Sequence, residues 1–208
     1  MGFGKLVPSE SRCVNDMEAL SELESVIPDS PDGNYRTSLP STAGSGYEGF
    51  DGISLERGHV DPDSSDSDGR TLLSAAGSGL ESVVRALLEA GHVDPDLADF
   101  VGKTPLSHAA GSGHEGIMRL LLETGHAKPY LADKDGRTPL PHAAESGCVG
   151  VVRIMLEHES VSPDSPDENH RTPLSYAAGS GHEEAVKIFL ERRHVNPDSP
   201  DSGGRTPL

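Results

Sequence analysis

Histidine and carboxylate are the side chains abundant enough here to suggest chemistry: ten His and 34 Asp and Glu among 208 residues. Together they raise the question of a metal centre. His59, His92, His126 and His194 share one position of a recurring pattern, and His114 and His182 share another. Positions that recur in this way lie about 10 Å apart when elements stack at helix-packing distance. Ligands to one metal must converge to about 2 to 2.5 Å from it. The spacing therefore predicts helix-end and loop hydrogen bonding for these rings, and no metal site. Acidic loops such as Asp61-Pro62-Asp63-Ser64-Ser65-Asp66-Ser67-Asp68-Gly69 lack the Glu that closes an EF-hand calcium loop, and Asp ahead of Gly is ordinary turn chemistry. Gly-Ser-Gly at 77–79, 111–113 and 179–181 falls between two helical patterns rather than after a strand. It is therefore read as a close helix-to-helix turn, not a phosphate loop or nucleophile elbow. No nucleophile stands beside a base. The expectation is a protein without catalytic residues, cofactor or small-molecule substrate.

The elements that carry these residues follow one period. Thr-Pro-Leu or a near copy starts at Thr37, Thr71, Thr104, Thr138, Thr172 and Thr206, in steps of 34, 33, 34, 34 and 34 residues. Prolines at Pro28, Pro62, Pro95, Pro129, Pro163 and Pro197 precede each Thr by nine residues and repeat the same steps. A fixed period of this length marks a stacked array whose units bury their apolar faces only against neighbours. In each regular unit a capping Thr is followed by Pro at the first helical turn and a short Ala-Ala helix that ends at Ser-Gly. A second helix follows, apolar at Ile117, Met118, Leu120, Leu121 and Leu122 in one unit, Val151, Val152, Ile154, Met155 and Leu156 in the next, and Ala185, Val186, Ile188, Phe189 and Leu190 in the last. Arg119, Arg153 and Lys187 interrupt these stripes and are expected to face solvent. Pro-Asp turn chemistry then predicts a hairpin loop projecting from the stack.

Residues 1–15 carry no periodic pattern and are expected to form a disordered lead-in, and 16–28 a half-repeat outer helix. The array proper is assigned to 29–208. Its first unit, about 29–62, is degenerate, with Asp51, Gly52 and Ser54 in an outer helix that should be apolar. Units follow at about 63–95, 96–129, 130–163 and 164–197, and a truncated one at 198–208. The unit at 63–95 lacks one residue in its inner helix, and a local realignment there is expected rather than a displaced hairpin. Because the last unit stops where its inner helix should begin, the chain is either a piece of a longer protein or an array with a bare end.

A formal charge of −17 argues against nucleic acid or an anionic membrane as the main partner. Cys13 and Cys148 have no framework spacing, so a reducing compartment and no disulfide are expected. The first residues lack the apolar run of a signal peptide, and no stretch approaches a membrane span. An intracellular protein, cytoplasmic or nuclear, and a monomer, is the expectation. Ser30-Pro31, Ser165-Pro166 and Ser199-Pro200 would suit proline-directed kinases, although their turn composition already has a structural reason. Asp66, Asp99, Asp133, Asp167 and Asp201 each precede a Lys or Arg by four residues, which predicts an acidic and a basic ladder on the hairpin side. The favoured account is that each Asp orders its own turn.

Thr-Pro-Leu-x-x-Ala-Ala, Gly113-His114-Glu115 and Gly181-His182-Glu183, the apolar second helix and Asp133 to Gly136 together resemble the ankyrin repeat over about residues 29–208. Ser107 and Ser175 depart from that family's usual His after Leu. The His-Val-x-Pro-Asp loop looks like the arrays at the C-terminal end of large fungal multidomain proteins, where they follow a nucleotide-binding signalling module. The resemblance implies an all-α ankyrin solenoid of hairpin, inner helix and outer helix, serving as a protein-binding scaffold or adaptor with no chemistry of its own. The alternative is a regulatory C-terminal array, or fragment, of a larger nucleotide-binding signalling protein or enzyme; a decayed remnant is a third reading. The resemblance further implies that a partner protein meets the hairpin tips and the exposed side of the inner helices. The tip candidates are Phe100, Val101, Lys134, Asp135, Glu168 and Asn169, and the inner-helix candidates His108, His142 and Tyr176. Phe100 and Val101 stand out, because apolar residues at a projecting tip either fold back onto a neighbouring hairpin or mark a contact.

Overall fold

The computed structural model describes residues 73–208 apart from 91, 92, 124 and 126. The lead-in, the half-repeat helix, the degenerate first unit and the start of the unit at 63–95 lie outside the described residues. Within them the chain is an all-α solenoid of stacked helix-turn-helix units with projecting hairpin loops. The outer helices are α1 (Glu81–Ala90), α3 (Glu115–Glu123), α5 (Val149–Glu157) and α7 (Glu183–Leu190). The inner layer consists of a 3-10 helix at Leu73–Ser78, then α2 (Pro105–Ser112), α4 (Pro139–Glu145) and α6 (Pro173–Gly179). Each inner element packs on the next inner element and on its own outer helix, and the outer helices form a second row behind them.

The inner helices start where Thr and Pro place them. Thr104 and Thr172 have extended backbones, and their side chains accept the amides of Ser107 and Ser175, with Pro next in the chain, where no amide is needed. Thr138 has the same backbone but makes no side-chain cap, and Pro141 stands where Ser107 and Ser175 supply the amide. The Ser residues that depart from the family pattern are thus capping partners, and Ser175 closes a reciprocal capping box with Thr172.

The shortened inner segment is wound as a 3-10 helix, and the hairpin ahead of it lies outside the described residues. Its 3-10 helix has 6 residues against 8 in α2. At rises of about 2.0 and 1.5 Å per residue, both cover about 12 Å. A deleted residue is absorbed by tighter winding, and the segment still packs on α2.

One apolar core runs the length of the described stack. Leu87, Leu106, Met118, Leu121, Leu140, Met155, Leu174 and Phe189 are fully buried in it, while Arg119, Arg153 and Lys187 face solvent. Each such Leu contributes about 1.5–3 kcal/mol by leaving water. Leu190, expected in the apolar stripe, is exposed; no further outer helix follows it among the described residues. Histidine reinforces the stacking. His114 Nε2 donates to the Gly77 carbonyl and His182 Nε2 to the Glu145 carbonyl, each at 2.9 Å and each across 37 residues. A Cβ on Gly79 or Gly147 would meet those rings at 2.8 and 2.5 Å, and both glycines have positive φ, so glycine is required there twice over.

Candidate functional site

The hairpin face is built on one aspartate per unit. Asp99 Oδ1 accepts the amides of Val101 and Lys103, Asp133 Oδ1 those of Asp135 and Arg137, Asp167 Oδ1 those of Asn169 and Arg171, and Asp201 Oδ1 those of Gly203 and Arg205, all between 2.8 and 3.0 Å. Each Asp therefore orders its own turn, as the four-residue offset suggested. The second carboxylate oxygen does something the sequence did not announce. It accepts from the inner helix nine residues on: from His108 Nε2 at 2.8 Å, His142 Nε2 at 2.9 Å and the Tyr176 hydroxyl at 2.6 Å. The same carboxylate clips the hairpin to the helix behind it.

These clips correct two expectations. His142 and Tyr176 were read as parts of the exposed inner-helix face, yet both are only 4% exposed. Their polar ends are turned onto Asp133 and Asp167, and a partner has no access to them. His108 is half-buried over Asp99. Tyr176 also lies under two guanidinium groups, Arg171 at 4.4 Å and Arg137 at 5.8 Å from the ring centre, and Arg171 Nη2 donates to its oxygen at 2.6 Å. Burial, then the bond to Asp167 and that residue's charge, push the Tyr176 hydroxyl up to about 12. Burial pushes the Asp167 carboxyl the other way from its partners. The Tyr176 hydroxyl, the amides of Arg171 and Asn169 and the Arg171 charge outweigh burial and hold it below the ordinary carboxylate range.

The six tip candidates are all exposed: Phe100 and Val101 at 59% and 55%, then Lys134 and Asp135, then Glu168 and Asn169. Successive hairpins are joined by single backbone bonds, from Lys134 N to Val101 O at 3.0 Å, Glu168 N to Asp135 O at 3.2 Å and Ser202 N to Asn169 O at 2.9 Å. The tips thus form a comb of fixed spacing whose side chains differ from tooth to tooth.

The family models agree with this architecture. The model for ankyrin repeats in three copies matches residues 52–133 and 72–167, and that for a single ankyrin repeat matches 169–202. The chain belongs to the ankyrin repeat family. No curated protein matches it. Ankyrin repeats generally mediate protein–protein contacts, and their fold is typically non-catalytic. Among the described residues of this ankyrin array, no three His, Cys, Asp or Glu side chains gather as a metal site, and no helix is long and apolar enough to cross a membrane.

Proposed function

We propose that the chain is an intracellular, monomeric adaptor that binds another protein through its hairpin comb. Phe100, Val101, Lys134, Asp135, Glu168 and Asn169 make the contacts, and His108 lies at their edge. His142 and Tyr176 act behind this surface by fixing the hairpins. The observation that carries the reading is the contrast between tips and clips. The aspartate clip is repeated at Asp99, Asp133 and Asp167, while the exposed pair it presents changes from Phe-Val to Lys-Asp to Glu-Asn. A rigid frame with variable exposed groups meets the main cost of association, ordering of the surface, before the partner arrives. Affinity capture from the native cell tests it, comparing the natural chain with Phe100→Ala/Lys134→Glu/Glu168→Lys. Loss of specific partners from a variant with unchanged circular dichroism supports the comb; an unchanged partner set refutes it.

A second reading is that the array is the regulatory C-terminal part of a larger nucleotide-binding signalling protein or enzyme. The His-Val-x-Pro-Asp loops, which resemble those of fungal multidomain arrays, favour it. An upstream reading frame encoding a nucleotide-binding domain would establish it, and a transcript with a stop codon just ahead of Met1 would exclude it.

A further inference from the structure

The hairpin tip at Phe100 and Val101 differs from its sisters in charge as well as in apolarity. In the next three hairpins the cation after the glycine position is paired: Arg137 lies 3.5 Å from Asp133, Arg171 3.4 Å from Asp167 and Arg205 2.9 Å from Asp201. Lys103 stands at that position in the Phe100 hairpin, and its ammonium makes no ion pair among the described residues. Asp99, its counterpart, accepts two amides and His108, as Asp133 and Asp167 accept two amides and an inner-helix donor. Lys134 is a second cation without an ion pair there. Its backbone sits hard against the same tip: its amide donates to the Val101 carbonyl, and a Cβ on Gly102 would lie 2.9 Å from its backbone nitrogen. Two exposed apolar residues thus share a hairpin with Lys103, the second bonded to the backbone of Lys134, and neither lysine has an ion pair among the described residues of a protein whose formal charge is −17. The surrounding comb is different. Asp135 and Glu145 share Arg137, and Glu168 follows one hairpin later.

We propose that this tip is the anchor point for an acidic segment of a partner protein that carries one large apolar side chain. The inference rests on the comb being the docking face and adds the partner's chemistry. The apolar side chain covers Phe100 and Val101, where exposed apolar groups rimmed by charge favour burial. Its flanking carboxylates meet Lys103 and Lys134, and the acidic hairpins beyond repel a segment that is acidic throughout.

The test uses the full chain and three fluorescein-labelled peptides of equal length: Leu-Phe flanked by Asp and Glu, Leu-Phe flanked by Lys, and the acidic peptide with Ser in place of Leu-Phe. Fluorescence anisotropy at low salt is expected to show the first binding about tenfold or more tighter than either of the others. Lys103→Glu/Lys134→Glu is expected to weaken it by about tenfold, as is Phe100→Ser/Val101→Ser. Phe100, Val101 and Lys134 are exposed and Lys103 is half-buried, and unchanged circular dichroism with an unchanged urea midpoint verifies folding. If the lysine-flanked peptide binds as well or better and Phe100→Ser/Val101→Ser abolishes it, the comb stands and the charge assignment falls. Binding of the acidic peptide that neither double variant changes overturns both the assignment and the comb at this tip. No binding of the acidic peptide at about 1 mM overturns the assignment alone.

Discussion

Replacing His142 by tyrosine should remove an acid sensitivity that the fold builds into its centre. His142 is buried, with Nε2 donating to Asp133 Oδ2 at 2.9 Å. Burial first, then the charges of Lys103 and Arg137, pull its pKa down to about 4, against the Asp133 charge and hydrogen bond, which push it up. The ordinary value is about 6.5. Below that pH the unfolded chain takes up a proton that the folded chain refuses until about pH 4. Stability present at neutral pH is therefore lost as pH falls through this window. Between about pH 7 and pH 5 this one site removes about 2 kcal/mol. Tyr176 is the sister solution, since it donates to Asp167 at 2.6 Å and its pKa is pushed up to about 12. A tyrosine at 142 keeps a donor on Asp133 and exchanges no proton in the acid range. Urea titrations followed by circular dichroism provide the assay. With an m-value of about 2 kcal/mol/M, the natural chain should lose about 1 M more of its midpoint than His142→Tyr between those two pH values. Equal losses in the two proteins refute the reasoning, as does an NMR titration of His142 centred above about pH 6.

Asp133→Ala strands two hairpin amides and the His142 ring, and should cost about 3 kcal/mol in urea titration, with far less loss for the exposed neighbour Asp135→Ala. Cys148 holds the place of His114 and His182 and reaches only the Ser146 carbonyl, at 3.9 Å, so Cys148→His should bond the Gly111 carbonyl and raise the urea midpoint by about 1 kcal/mol equivalent. Asp164 Oδ1 is buried without a hydrogen-bond partner, whereas Asp96 has Lys128 Nζ at 3.0 Å; Asn196→Lys should supply the missing cation, stabilise by about 0.5–1 kcal/mol and lower the Asp164 pKa, which burial now raises, as read by carboxyl NMR. His170 has φ of 60° where Gly102, Gly136 and Gly204 stand in the sister hairpins, so His170→Gly should add about 0.5–1 kcal/mol to thermal unfolding measurements, and a loss would show that the ring makes a stabilising contact.

The stacked helix pairs were legible because their causes are local and repeated. Thr, Pro and the Ala-Ala run fix each inner helix within a few residues, and the apolar stripes of α3, α5 and α7 read directly as buried faces. The structural role of His114 and His182 also follows from period alone, since equivalent positions cannot converge on one metal. The clip was harder to see. Its nine-residue offset from Asp99 to His108, Asp133 to His142 and Asp167 to Tyr176 is constant, but the change from imidazole to phenol disguises it. The more obvious four-residue offset to Lys103, Arg137 and Arg171 pointed to each Asp ordering its own turn, which Oδ1 does through the backbone amides of those residues, and left the second oxygen unassigned. A variable position on an inner helix consequently looked exposed when at 142 and 176 it is buried. The missing cap at Thr138 follows from Pro141 only once the Ser107 and Ser175 amides are known to be the donors.

Net charge is a poor guide to which charges a partner meets, and the clip explains why. Its carboxylates are drawn inward by turn amides and inner-helix donors, so the acids most regularly placed in the sequence contribute least to the outer surface. The cations four residues later lie at different depths, Arg137 largely buried and Arg205 exposed. Where such a cation has a side-chain oxygen within reach, as Arg137 does on Asp133, Asp135 and Glu145, the hairpin is locally balanced. Lys103 makes no ion pair among the described residues, and this is the positive spot that the proposed acidic segment would meet. Since each hairpin bonds the next through its tip backbone, that spot is held at a fixed distance from Asp135 and Glu168. On the proposed reading, recognition depends on order along the described hairpins, apolar and basic at Phe100 to Lys103 and acidic after, rather than on overall attraction.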